Sequence, residues 1–106
     1  MLDTATFDAF GKFLRASYPG VFDMLEVDTF STHTYLLHWP GTEAATKNYL
    51  FIAHQDVVPV DRKSIAEWSA GPFSGDFVTD STAGVEGWIY GRGTLDDKSA
   101  LIALME

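Results

Sequence analysis

Two short clusters in this sequence carry side chains that bind metal ions. Residues 54–56 (His-Gln-Asp) directly follow the apolar run at residues 49–53, and residues 96–98 (Asp-Asp-Lys) follow a turn with two glycines at residues 91–93. Imidazole and carboxylate groups are ligands for Zn²⁺ and similar divalent ions. The sequence has no cysteine, which excludes thiolate ligands, thiol nucleophiles and disulfides. A metal site in this chain would therefore use His and carboxylate ligands.

The first cluster predicts a ligand and a residue that orients it. Side chains two residues apart share one face of a strand, so His54 and Asp56 are expected together at the carboxyl end of strand 49–53. Ligands bind at that end of the strands in α/β sheets. A metal-bound His commonly has its other ring nitrogen held by a carboxylate, which makes His54 the candidate ligand and Asp56 its orienter. The alternative is a loop histidine beside a capping Asp.

The second cluster places two adjacent carboxylates, Asp96 and Asp97, at the start of a predicted helix. Capping of that helix is the alternative explanation, and it accounts for one of the two carboxylates. The turn lacks the third glycine of a dinucleotide-binding fingerprint, and an acidic pair would repel a pyrophosphate. Because both clusters follow apolar strands, we expect them to converge at one edge of a sheet.

The hydrophobic pattern predicts the elements that must position these clusters. Apolar residues spaced by three and four predict a helix over residues 4–17, and two β-rich runs at residues 25–30 and 34–39 predict a hairpin. The near-continuous apolar run at residues 49–53 predicts a central strand buried on both faces.

The second half of the chain continues this pattern. Residues 77–79 and 88–90 predict a further strand pair joined by the loop at residues 80–87, and residues 97–105 predict a helix. The expected fold class is α/β, with a mixed sheet flanked by helices and no internal domain boundary.

Composition limits the partners. The chain has 106 residues, 46% of them hydrophobic, which fits one small globular domain. A net charge of −8 has the wrong sign for nucleic acid or for an anionic membrane surface. The sequence contains no apolar run close to the ~20 residues that span a bilayer, so we expect no membrane segment and no signal peptide.

Three motifs, in this order, resemble the N-terminal part of the M20 family of zinc metallopeptidases, and most closely its carboxypeptidase S-like branch. They are residues 54–59 (HQDVVP), residues 68–75 (Trp, then Pro-Phe-Ser-Gly) and residues 89–98 (IYGRGTLDDK). The resemblance implies a mixed α/β catalytic domain with two Zn²⁺ ions. It also implies hydrolysis of amide bonds in peptides or N-acyl amino acids.

Carried over by position, the resemblance makes His54 a ligand of one zinc ion and Asp96 the carboxylate that bridges both ions. The resemblance also makes Asp56 a catalytic residue, as the carboxylate that orients His54. The peptide between Asp96 and Asp97 is cis in relatives. Ser99 departs from the Gly found at this place in many family members.

The resemblance also implies that the general base and the remaining zinc ligands lie beyond residue 106, together with the lid domain and the C-terminal half of the catalytic domain. Residues 1–106 are then expected to be the N-terminal portion of a catalytic domain, inactive by itself. The alternative is a truncated, non-catalytic remnant. The likeness to carboxypeptidase S, a vacuolar enzyme, is compatible with a vacuolar location.

Overall fold

The computed structural model describes residues 4–79, 82, 84 and 86–106, and the chain forms two compact units. The first unit is Met1–Leu50 with Met105–Glu106, and the second unit is Phe51–Leu104. Within the described residues the helices are α1 (Thr4–Ser17), α2 (Pro19–Met24) and α3 (Ser99–Met105), and the strands are β1 (Glu26–Phe30), β2 (Thr34–His38), β3 (Phe77–Val78) and β4 (Trp88–Ile89). None of the helices in this described part is long and apolar enough to cross a membrane.

Helix α1 confirms the helix predicted from apolar spacing. Its inward face carries Leu14, which is 3% exposed, and Gly11, whose backbone lies against the hydroxyl of Tyr35 on β2. A side chain at Gly11 would meet that hydroxyl, so the glycine permits the close approach of helix and strand. After α1, Pro19 begins the short helix α2, because the first turn of a helix does not need the N–H that proline lacks.

Strands β1 and β2 form the predicted antiparallel hairpin. The register pairs Glu26 with His38 and Phe30 with Thr34. Half-buried side chains alternate with exposed ones along β2, as expected for a strand with one covered face.

The prediction of a buried central strand at residues 49–53 is wrong. No strand is assigned over residues 48–60, and Tyr49 and Ile52 are 86% and 79% exposed. A central strand needs a hydrogen-bonded neighbour on each side, whereas β1 pairs with β2 and β3 pairs with β4 in two separate two-stranded sheets. The described residues therefore contain helices and small antiparallel sheets and do not form the single mixed sheet that the sequence predicted.

The second unit otherwise follows the predicted order of elements. A 3₁₀ helix spans Ile65–Glu67, and β3 pairs with β4 as the predicted second strand pair. Four residues of the predicted connecting loop, at positions 80, 81, 83 and 85, lie outside the described residues. An irregular helical turn at Thr94–Lys98 leads into α3, so the predicted C-terminal helix is confirmed with a start at Ser99.

Candidate metal centre

The two candidate ligands meet in the second unit. His54 Nε2 lies 3.0 Å from Asp96 Oδ1, although the residues are 42 positions apart in the sequence. His54 belongs to the stretch without regular structure, and Asp96 belongs to the irregular turn that precedes α3. The predicted convergence of the two clusters is therefore present, even though the strand expected to deliver His54 is not.

The turn at residues 91–93 positions Asp96. Gly93 has a φ of +91°, a left-handed conformation that glycine adopts without the steric cost of a side chain. The Gly93 carbonyl accepts a hydrogen bond from the Lys98 backbone N–H at 2.9 Å, which closes the irregular turn. Within that turn, the Asp96–Asp97 peptide is cis, as the family resemblance implied.

Asp56 lies at the other ring nitrogen of His54. Nδ1 is 3.0 Å from the Asp56 backbone carbonyl and 3.2 Å from the Asp56 carboxylate oxygen Oδ1. Both oxygens are acceptors, so Nδ1 carries a proton and donates a hydrogen bond to Asp56. This arrangement directs Nε2 toward Asp96 and fits the predicted orienting role of Asp56.

Protonation of His54 follows from the same contacts. With Nδ1 donating to Asp56, Nε2 can donate to Asp96 only if it is also protonated, so the contacts favour the imidazolium ion. The hydrogen bond to Asp96 raises the pKa of His54 above its ordinary value of 6.5; partial desolvation opposes this, and the Asp56 carbonyl and the charges of Asp96 and Asp56 add to the rise.

The donor set fits a zinc ion. Zinc binds imidazole nitrogen and carboxylate oxygen at ~2.0–2.2 Å, which separates two ligands of one tetrahedral ion by about 3.3 Å. The observed separation of 3.0 Å between Nε2 and Oδ1 is close to this value. Among the described residues, however, no group of three or more His, Cys, Asp or Glu side chains is arranged to hold a metal ion. His54 and Asp96 are therefore two candidate ligands.

Asp97 and Lys98 were not predicted to interact with the first cluster, yet both contact it. Asp97 Oδ2 accepts the backbone N–H of His54 at 3.1 Å, and Lys98 Nζ donates to the backbone carbonyl of Gln55 at 2.6 Å. Helix capping was the alternative for the acidic pair, but each carboxylate instead interacts with His54. The signal available in the sequence was the adjacency of both residues to a candidate ligand.

Three other polar residues have contacts that fit structural roles. In the first unit, His33 pairs with Asp8 at 2.9 Å and His38 pairs with Glu26 at 2.8 Å. In the second unit, the Arg92 guanidinium lies 5.2 Å from the ring centroid of Trp68, a cation–π arrangement.

Comparison with known proteins defines the class. Residues 50–106, more than half of the chain, match the model of peptidase family M20/M25/M40. This segment contains both clusters and the irregular turn between β4 and α3. The chain belongs to this family, whose members are metal-dependent hydrolases, generally with zinc.

Individual relatives agree with this assignment. The chain is 34% identical, over 98% of its length, to an uncharacterized carboxypeptidase of Schizosaccharomyces pombe. It is 33% identical over 99% of its length to the N-fatty-acyl-amino acid synthase/hydrolase of Bos taurus, and 31% identical over 89% to carboxypeptidase S of Saccharomyces cerevisiae. It spans 17%, 19% and 16% of these relatives, respectively. No solved structure matches the chain significantly.

Proposed function

We propose that this chain contributes His54 and Asp96 as zinc ligands to an M20-type metallohydrolase that cleaves amide bonds in peptides or N-acyl amino acids. The observation that carries the proposal is the 3.0 Å separation of Nε2 and Oδ1, in a chain that belongs to a family of metal-dependent peptidases. The substrate class follows the relatives, which include carboxypeptidases and an N-fatty-acyl-amino acid hydrolase.

Each residue of the centre has a distinct task in this proposal. Asp56 accepts a hydrogen bond from the Nδ1–H group and so keeps the lone pair of the neutral ring on Nε2, facing Asp96. Asp96 presents a carboxylate that is largely exposed, which leaves oxygen lone pairs available for a second ion, as expected of a bridging ligand. A bound zinc ion would polarise a substrate carbonyl and lower the pKa of a water molecule.

The resemblance further suggests that the proton-accepting base and the other ligands are contributed by residues outside the two clusters. Within the two clusters, Asp56 and Asp96 contact the His54 ring and already have roles, as the orienting residue and as a ligand. Neither is therefore available as the base. We therefore expect these 106 residues to bind zinc weakly and to have no hydrolytic activity alone.

Calorimetric titration with Zn²⁺ tests the ligand assignment. Structural sites with four ligands bind zinc with about 10–16 kcal/mol, so two ligands are expected to give dissociation constants of roughly 10 μM or weaker. His54→Ala and Asp96→Ala should each remove this binding, whereas His38→Ala in the first unit should leave it unchanged. Tight, stoichiometric binding that survives His54→Ala would show that other residues are the ligands.

An activity assay tests the hydrolase assignment. A protein of the length of its relatives that carries these residues should hydrolyse members of a panel of dipeptides and N-acyl amino acids, and should lose this activity on Asp96→Ala. The 106-residue chain with excess Zn²⁺ should not turn over the same panel. Zinc-dependent turnover by the short chain, abolished by His54→Ala, would contradict the expected inactivity and would point to ligands shared between two copies.

A further inference from the structure

We propose that Asp97 and Lys98 are positioning residues that clamp the backbone of residues 54–55 to the turn carrying Asp96. The inference rests on the proposed function of His54 and Asp96 as zinc ligands. It assigns no metal contact to either clamp residue.

The clamp consists of two hydrogen bonds to main-chain atoms. Asp97 Oδ2 accepts the N–H of His54, and Lys98 Nζ donates to the carbonyl of Gln55. One bond reaches a main-chain donor and the other a main-chain acceptor of two consecutive residues, so together they fix both the position and the direction of that short stretch. Both bonds involve a charged group and are therefore stronger than neutral hydrogen bonds.

The clamp acts where regular structure does not. Residues 48–60 have no assigned strand, so no ladder of interstrand hydrogen bonds holds the backbone of His54. A ligand on an unsupported stretch would sample many positions relative to Asp96, and ordering it would oppose metal binding. Asp97 and Lys98, both half-buried, tie this stretch to the turn at Thr94–Lys98.

The two adjacent acids contact different parts of His54. Asp96 faces the ring at Nε2, while Asp97, the next residue, faces the backbone N–H of the same histidine. A displacement of the 96–97 dipeptide would therefore move both contacts together. The clamp thus couples the distance between the two ligands to the conformation of one short turn.

A purely electrostatic role is the competing explanation, and it makes the opposite prediction for Lys98. If the two residues acted only by charge, loss of the Lys98 cation would strengthen binding of Zn²⁺, because a positive charge nearby repels the ion. If Lys98 acts through its bond to Gln55, Lys98→Met weakens zinc binding. Likewise, Asp97→Asn keeps an acceptor oxygen without the charge, whereas Asp97→Ala loses both.

The experiment uses the ¹⁵N-labelled chain and two NMR readouts: hydrogen exchange of the His54 amide without metal, and Zn²⁺ affinity from the shift of the His54 ring signals. Asp97→Ala should accelerate exchange of the His54 amide and weaken zinc binding about 10–100-fold. Asp97→Asn, which keeps a weaker, neutral hydrogen bond, should change both readouts less than Asp97→Ala does, and Lys98→Met should weaken zinc binding. Glu67→Gln, which removes an exposed carboxylate from the 3₁₀ helix, is the charge control and should change neither readout.

Other outcomes separate the two proposals. Equal losses of zinc affinity in Asp97→Asn and Asp97→Ala, or tighter binding in Lys98→Met, would overturn the clamp in favour of charge effects. Absence of zinc binding in the wild-type chain would contradict the ligand assignment, and the clamp would then be judged by amide exchange alone. Faster exchange in Asp97→Ala would support it, and an unchanged rate would refute it. Circular dichroism verifies that each variant folds. If Asp97→Ala does not fold, Lys98→Met and Asp97→Asn test the clamp in its place.

Discussion

The ring of His54 reaches Asp96 through Nε2, with 3.0 Å between the nitrogen and the carboxylate oxygen Oδ1. Because Nδ1 donates to Asp56, this contact is a hydrogen bond only when Nε2 also carries a proton. Under the proposed ligand assignment, a Zn²⁺ ion would bind Nε2 in place of this proton. Proton and metal ion would then compete for Nε2, so zinc binding would depend on pH.

The first prediction is that the pKa of His54 in the metal-free chain exceeds 6.5 and falls on Asp96→Asn. The hydrogen bond to Asp96 is the largest cause of the raised pKa, and the neutral amide removes the negative charge that favours the imidazolium ion. Titration of the His54 ring signals by NMR measures both values. Glu67→Gln, at an exposed carboxylate of the 3₁₀ helix, is the control and should leave the pKa of His54 unchanged.

The sign of the pH effect differs between folding and metal binding. A raised pKa in the folded state means that His54 contributes to stability below about pH 6.5, and that this contribution is lost as the pH rises through the folded-state pKa. Zinc binding requires the neutral ring, so it should strengthen over the same rise in pH. Zinc affinity that falls between pH 6 and 8 would contradict the assignment of His54 as a ligand.

Local sequence patterns were sufficient to predict most elements of the fold. The spacing of Phe7, Phe10 and Leu14 specifies the face of α1, and the polar turn at residues 31–33 specifies the hairpin between β1 and β2. These elements depend on residues close to one another in the sequence. Their interactions are therefore visible to a reading of periodicity and turn residues.

The conformation of residues 49–53 could not be predicted correctly from their composition, which favoured a strand that the structure does not contain. An apolar run reports that a segment avoids water, but strand formation depends on partner strands distant in the sequence. The site likewise combines features that are visible in the local sequence with contacts that are not. His54, Asp56 and Asp96 were predicted as site residues from residue type, spacing and family resemblance. The contacts of Asp97 and Lys98 with main-chain atoms could not be predicted, because a main-chain N–H or carbonyl is present in nearly every residue.

The second prediction concerns Asp56. Asp56→Ala removes the carboxylate that lies 3.2 Å from Nδ1 but keeps the backbone carbonyl at 3.0 Å, so the ring retains one acceptor. We expect zinc affinity to fall by no more than about tenfold, the lower end of the range for loss of a ligand's hydrogen-bond partner. Calorimetric titration should rank the variants with Asp56→Ala less impaired than Asp96→Ala. The reverse order would make Asp56 a ligand in its own right.

The third prediction concerns stability of the first unit. The guanidinium of Arg15 on α1 lies 4.5 Å from the ring centroid of Phe22 and 5.4 Å from that of Tyr35. Two cation–π contacts and the packing of the arginine stem should make Arg15→Ala cost about 1–2 kcal/mol in the free energy of unfolding. Urea denaturation measures the loss. Lys12→Ala, at an exposed position on the same helix, is the control, and an equal effect of both substitutions would show that the rings contribute nothing.

The last prediction tests whether the turn before Asp96 must contain glycine. Gly93 is buried, has a φ of +91°, and would place a Cβ against the Cγ1 methyl of Val57. Gly93→Ala should therefore destabilise the chain by about 1–3 kcal/mol and weaken zinc binding, because the Gly93 carbonyl holds the N–H of Lys98 at 2.9 Å. Gly84→Ala is the matched control, since Gly84 also has a positive φ, +70°, but its Cβ would meet no atom of the described residues within 4 Å. If contact with Val57 contributes, Val57→Ala should recover part of the loss in a double variant, measured by urea denaturation and zinc titration. Equal losses at Gly93 and Gly84, with no recovery by Val57→Ala, would attribute the whole effect to backbone conformation and would remove Val57 from the set of residues that shape the site.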